Sequence, residues 1–131
     1  KLKKRFEQGF SLNRVYRETP ALHVDFKHEG FSWIQADDWQ NSIYAYCRHG
    51  RAGDLVAVVR SFTAVPRENY RVGGPRAGGY REVLNTDAEI YGGSNTGNAG
   101  LVVTSDVPMH VHPQSLKLTI PPLAAIVLHA Q

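Results

Sequence analysis

The side chains able to do chemistry begin with a pair of carboxylates, Glu82 and Asp87, the residue type of general acid–base and nucleophilic catalysis. They lie five apart on or just after an extended run, which points them to different faces, so their spacing favours turn and surface hydrogen bonding. His110 and His112 form a His-x-His pair; on a strand both rings would project to one face, the way two metal ligands are presented. Pro113 follows, Met109 precedes, and no Cys or carboxylate at ligand spacing completes the set, Asp106 being the nearest acid. Loop histidines without a metal are expected. Cys47 sits in an alternating run that predicts burial, and a thiol buried among apolar groups has its pKa raised and loses reactivity. No catalytic residue, metal or cofactor is expected within this chain.

Aromatic rings are the remaining candidates. A pyranose has an apolar face of C–H groups that an exposed indole or phenol can bury while its hydroxyls meet nearby polar groups. Trp33, Trp39, Tyr44, Tyr46, Tyr80 and Tyr91 could serve, with core packing as the competing role for each. Trp39 lies between Asp38 and Gln40 in a polar turn. Trp33 shares a strand face with Phe31 and is core or platform according to which face is buried. Trp33, Trp39, Tyr44 and Tyr46 make up the candidate sugar-binding set.

The elements that must hold these residues are short. Leu12, Val15 and Tyr16 recur at helical spacing with Ser11 as a cap, and Thr19 before Pro20 marks the stop. Residues 1 to about 11 are expected to be disordered, as an added leader or a divergent helix start. The helix is expected to persist only if Leu12, Val15 and Tyr16 find the sheet. Phe31 to Ile34 reads as a first strand stopped by Ala36-Asp37-Asp38. Asn41 to Cys47 alternates, with Ile43, Ala45 and Cys47 on one face and Tyr44 and Tyr46 on the other. Leu55 to Phe62, the most apolar run, suits a central strand reached by a Gly-containing turn. Asn69 to Val72 and Tyr80 to Leu84 read as a strand pair around Gly73-Gly74-Pro75. A Gly- and Asn-rich stretch from Asn85 to Gly100 without periodicity has the character of a functional or interface loop. Val102 to Thr104, Ser115 to Ile120 and Leu123 to His129 close the set, with Pro121-Pro122 breaking the last two apart. Seven to nine short strands predict an all-β fold, an antiparallel β-sandwich of Greek-key type.

A chain of 131 residues is of single-domain size. One cysteine allows no internal disulfide and fits a reducing compartment. No apolar stretch approaches the roughly 20 residues of a membrane span, and a cytoplasmic protein is expected. The formal charge of +3 is concentrated in Lys1, Lys3, Lys4 and Arg5 against Glu7, leaving eleven basic and eleven acidic side chains beyond. That balance argues against a nucleic-acid surface.

Several ordered segments carry a resemblance. They are Phe62-Thr63-Ala64-Val65-Pro66-Arg67, Tyr70-Arg71-Val72-Gly73, Leu84-Asn85-Thr86-Asp87, Gly92-Gly93-Ser94-Asn95-Thr96-Gly97-Asn98 and Ser115-Leu116-Lys117-Leu118-Thr119-Ile120-Pro121-Pro122-Leu123-Ala124. Together, over roughly residues 12 to 129, the chain closely resembles the C-terminal all-β domain of bacterial 1,4-α-glucan (glycogen) branching enzymes of the α-amylase clan. Departures are Ser61 where that family usually has Asn, Ala64 where it has Pro, and His110-Val111-His112 where a single His-Gly is common.

The resemblance implies an enzyme that cleaves an α-1,4 glucan chain and rejoins it through an α-1,6 bond in glycogen synthesis. A retaining mechanism needs two carboxyl groups about 5 Å apart, and in that family they sit on a barrel upstream of this segment, so the chain alone should be inactive. Residues 1–24 would then be a leader with the end of the last barrel helix, and 25–131 the C-terminal β-sandwich. Arg67, Tyr70, Arg71, Arg81, Asn85, Tyr91, Asn95 and Asn98 would form an interdomain surface toward the barrel, with local turn structure as the competing role of the asparagines. The implied partners are the catalytic barrel and α-glucan, with no nucleic acid, no membrane and a monomeric state. An autonomous glucan-binding module, a purely structural domain, or the same domain of another clan member such as a trehalose-forming hydrolase are the alternatives.

Overall fold

The run Leu55–Ser61 is the strand around which the molecule is assembled in a computed structural model that describes residues 2–131. Its first five residues are all buried, because both faces of this strand are covered. In chain order it is β3. The others are β1 (Phe31–Asp38), β2 (Ile43–His49), β4 (Arg67–Gly73), β5 (Gly79–Asn85), β6 (Leu101–Val103), β7 (Ser115–Ile120) and β8 (Ala125–Ala130), all preceded by one helix, α1 (Leu2–Glu18). A six-stranded sheet in the order β1-β2-β3-β8-β5-β6 packs on a two-stranded sheet of β4 and β7. Every neighbouring pair is antiparallel. These eight strands in two layers are the expected all-β sandwich.

The alternation of β2 decides what each face does. Ile43, Ala45 and Cys47 are fully buried with Ala57, Val59, Ile126 and Leu128 of the large sheet and Val72, Leu116, Leu118 and Ile120 of the small one. This inner layer is the main core. On the outer face Val56, Val58, Leu84 and Val127 form a second cluster beneath Val15 of α1 and Ala21 of the turn that follows the helix. The helix thus covers the middle of the large sheet and leaves the β1–β2 end of that face open.

Four expectations about the elements are corrected. The helix does not start at Ser11 but runs from Leu2, so residues 2–11 are helical rather than disordered; the expectation for Lys1 lies outside the described residues. Leu2, Phe6 and Phe10 continue an i, i+4 apolar spacing through that segment. Of the helix residues expected to reach the sheet only Val15 is buried, while Leu12 and Tyr16 remain about half exposed. The first strand does not stop at Ala36 but continues through Asp38, accommodated by register shifts between Trp33 and Gln35 and between Gln35 and Asp38.

The remaining correction is topological. β4 and β5 do not pair: β4 joins β7 in the small sheet, while β5 lies between β8 and β6 in the large one. The glycines between them serve a crossing from one layer to the other. At Gly73 a Cβ would meet the Met109 carbonyl oxygen at 2.5 Å, so the chain passes there too close to the 105–112 segment for any side chain.

Candidate functional site

Strand alternation brings Phe31 and Trp33 of β1, Tyr44 and Tyr46 of β2, and Arg60 of β3 to the open end of the outer face, where the register sets Trp33 beside Tyr46 and Tyr44 beside Arg60. Phe31 stands edge-on to Trp33 with centroids 5.1 Å apart and stacks on Tyr46 at 5.3 Å. Trp33 approaches Tyr46 at 6.0 Å and Tyr44 at 6.5 Å. Phe62 meets Tyr44 edge-on at 5.7 Å, and the Arg60 guanidinium lies 5.2 Å from the Phe62 centroid. Such edge-to-face contacts hold rings in fixed, mutually tilted positions. Trp33 nevertheless keeps 55% of its surface exposed. Trp33, Ser42, Tyr44, Tyr46, Arg60 and Phe62 line a groove of about 490 Å³.

This arrangement gathers Trp33, Tyr44 and Tyr46 of the candidate sugar-binding set and leaves Trp39 apart. Trp39 is 77% exposed in the β1–β2 turn and makes no ring contact among the described residues. Tyr80 is fully buried, its hydroxyl donating to the Arg76 carbonyl and accepting from the Arg76 amide. Phe62 and Arg60 were missed by sequence reasoning. The signal was available: positions 56, 58, 60 and 62 alternate onto the same outer face as Tyr44 and Tyr46 once that face is known.

The residues expected at an interdomain surface are divided between β4 of the small sheet and β5 of the large sheet with the loop that follows it. Arg67, Tyr70 and Arg71 belong to β4 in the small sheet. The Tyr70 hydroxyl donates to Asp38, and Arg71 donates to the hydroxyls of Ser105 and Ser115, both at 2.9 Å. Burial pushes the Asp38 carboxyl up, but the hydrogen bonds from Tyr70 and Asn41 and the charge of Arg67 outweigh it and hold the group below its ordinary value. Burial and the Asp38 contact together push Tyr70 well above the ordinary phenol value.

Arg81 and Asn85 lie on β5, and Tyr91, Asn95 and Asn98 on the following loop. Asn85 donates to the Thr96 carbonyl at 2.7 Å. Asn98 exchanges two bonds with the Thr119 backbone, donating at 3.0 Å and accepting at 2.8 Å, and so mimics a neighbouring strand along β7. Asn95 sits at φ 63° and accepts from the Glu89 amide. Tyr91 packs half-buried against the cluster beneath α1.

The two carboxylates organise that loop. Asp87 is buried and accepts from the Ser94 amide at 3.0 Å, the Ser94 hydroxyl at 2.5 Å and the Thr96 amide at 3.0 Å. Its desolvation raises the pKa, but the three bonds more than offset this and leave it lowered. Glu82 accepts from the Asn98 amide at 3.2 Å and side chain at 2.7 Å.

The histidines do not share a strand face. His110 and Val111 occupy left-handed conformations in a tight turn closed by paired bonds between Met109 and His112. His110 Nδ1 accepts the Gly73 amide at 3.1 Å. Burial pushes the Cys47 thiol up to about 12, as its strand position foretold.

A further surface lies on α1. Leu2, Phe6 and Phe10 are 73%, 65% and 77% exposed and line a shallow groove with Arg5, Gly9 and Asn13, away from buried Val15. No helix is long and apolar enough to cross a membrane among the described residues.

Comparison with known proteins fits this geometry. The 1,4-alpha-glucan branching enzyme GlgB of Cupriavidus necator is 54% identical over 122 residues, covering 89% of this chain and 16% of that protein. The GlgB of Aromatoleum aromaticum is 54% identical over 118 residues, 89% of this chain and 19% of that protein. The enzyme named 1,4-alpha-glucan branching enzyme GlgB 2 of Xanthomonas campestris pv. campestris is 50% identical over 122 residues, 92% of this chain and 17% of that protein. The chain thus spans less than a fifth of the length of these curated relatives. The family model described as alpha amylase, C-terminal all-beta domain, matches residues 33–131, every strand but the first residues of β1. By that match and the two-layer antiparallel architecture, this chain belongs to the alpha-amylase C-terminal all-beta domain family.

Proposed function

We propose that this chain is the C-terminal part of a 1,4-α-glucan branching enzyme, whose complete form moves an α-1,4 glucan segment to an α-1,6 branch in glycogen synthesis. The observation that carries the reading is identity of half or more to branching enzymes over about nine-tenths of the chain. The two carboxyl groups of a retaining mechanism would then lie in the preceding part of the protein. Glu82 and Asp87, both bound to their own loop, are not the pair. The lone buried thiol of Cys47 suits a cytoplasmic enzyme.

Within that enzyme the chain has two tasks. The stripe of Leu2, Phe6 and Phe10 docks on the catalytic barrel that precedes it, residues 1–24 being a leader with the end of that barrel's last helix and 25–131 the β-sandwich. Two features support the occupant: the relatives carry more than four-fifths of their length outside the matched segment, and the stripe faces away from the sheet that the rest of α1 covers. Of the interdomain set, Tyr91 lies in the short turn Glu89–Tyr91 that packs on α1, and we assign docking to that side. The second task belongs to the aromatic groove, where Trp33, Tyr44 and Tyr46 hold a glucan chain.

The test is made in the complete enzyme. Phe6→Ser with Phe10→Ser should lower its activity and thermal stability, while the same pair in the 131-residue chain leaves stability within about 0.5 kcal/mol, as expected of exposed sites. Equal loss in both contexts would sink the docking assignment. Trp33→Ala should weaken binding of maltoheptaose to the 131-residue chain. Unaltered binding would remove the groove from the reading.

A further inference from the structure

The aromatic groove has a polar end that differs from the rest of it. Arg60 is exposed, lies over Phe62, and forms no ion pair among the described residues. Its neighbours across the strands are Tyr44 and Ala125, neither of which can neutralise it. Stacking on Phe62 holds the guanidinium as a planar fork whose N–H groups remain free for hydrogen bonding. The Ser42 hydroxyl stands on the same groove wall, donating weakly to the Trp39 carbonyl at 3.4 Å and leaving its lone pairs open.

From this, and resting on the glucan reading above, we propose that Arg60 and Phe62 form a specificity-determining end of the groove, with Arg60 donating to the vicinal hydroxyls of one glucose unit of an α-1,4 chain seated between Trp33 and Phe62. Phe62 covers the C–H face of that unit's neighbour. A volume of about 490 Å³ falls in the ordinary range for small-ligand sites and suits roughly two or three pyranose rings. The rings that line it are tilted at 55° to 90° to one another wherever Trp33, Tyr44 and Phe62 meet a neighbour. They offer successive sugars differently angled walls, which fits the turning path of an α-1,4 chain better than a straight β-1,4 ribbon.

The test is a titration of the 131-residue chain with maltotriose, maltoheptaose and cellotriose, read by backbone amide shifts and calorimetry. Maltotriose should bind as the minimal ligand, and cellotriose should bind at least tenfold more weakly. Arg60→Ala should weaken maltotriose about tenfold or more, the equivalent of losing a hydrogen bond to a charged group. Arg60→Lys, which keeps the charge and loses the fork, should recover only part of this. Phe62→Leu should weaken binding with Arg60 intact. An unchanged melting temperature of Arg60→Ala would separate lost recognition from lost folding. Arg60 and Phe62 variants that bind like the parent while Trp33→Ala does not would overturn this inference and leave the glucan reading standing. No binding of any maltooligosaccharide by the parent chain would overturn both.

Discussion

Asp87 shows how a single buried carboxylate fixes a loop. Its three bonds to Ser94 and Thr96 close the segment that runs from β5 toward β6, and Gly93 must pass so near that a Cβ there would stand 2.1 Å from the Asp87 carbonyl oxygen. Removing the carboxylate strands buried amides, so Asp87→Ala should destabilise the chain by about 2–3 kcal/mol, measurable by urea unfolding. The pH dependence has a definite sign. The pKa is held below the ordinary 3.8 in the folded state, so the stabilisation is complete above that value and is lost as pH falls through the lower folded one. The gap between parent and variant should therefore be constant from neutral pH to about 5 and shrink only below about 4. A gap that closes already near neutrality would mean another group is responsible.

His110 gives a residue-level prediction of the opposite kind. Its Nδ1 accepts the Gly73 amide and must be unprotonated to do so. Burial, with a smaller contribution from His112, lowers its pKa from 6.5 and outweighs the nearby Asp37 and Asp38. The unfolded chain therefore takes up the proton first, and stability should fall as pH drops through 6.5 and level off below the folded pKa. The Gly73 amide shift should titrate with a midpoint below 6.5, and that titration should vanish in His110→Phe. A Gly73 shift that ignores pH would show that the ring does not accept this bond.

At the scale of elements, what the sequence made legible was periodicity, and what it hid was partnership. β2 was read correctly because Ile43, Ala45 and Cys47 alternate against Tyr44 and Tyr46. β3 was read as central because an unbroken apolar run has no face to give to water. The end of α1 followed from Thr19-Pro20, a stereochemical stop that operates within two residues. Its start was missed because Gly9 and the basic cluster disguised the Leu2-Phe6-Phe10 spacing, and no local rule says which of two apolar stripes meets the sheet. β4 and β5 were paired in error for a related reason: Gly73-Gly74-Pro75 marks a change of direction equally well for a hairpin and for a crossing between layers. The groove was half legible. Trp33, Tyr44 and Tyr46 follow from alternation, whereas Phe62 and Arg60 join them only through the β2–β3 register.

At the scale of the whole molecule, the two hydrophobic layers should carry unequal weight. The inner one joins both sheets and contains most of the fully buried side chains, among them Leu118, Ile120, Ile126 and Tyr80. The outer one depends on a helix that buries a single residue, Val15, over Val56, Val58, Leu84 and Val127. Leu118→Ala should therefore cost about 2–5 kcal/mol, the range for opening a cavity in a close-packed core. Deleting residues 1–18 removes the Val15 contact and uncovers the outer valines, a loss of about 2–3 kcal/mol from one buried aliphatic side chain. The deleted chain should keep its strand content by far-ultraviolet circular dichroism and unfold cooperatively at lower urea. The aromatic groove, built from β1, β2 and β3 beyond the reach of α1, should bind maltoheptaose as the parent does. Loss of all sheet structure on deletion would make α1 a part of the folding core. Loss of sugar binding with the sheet intact would place the glucan under the helix rather than on the open aromatic end.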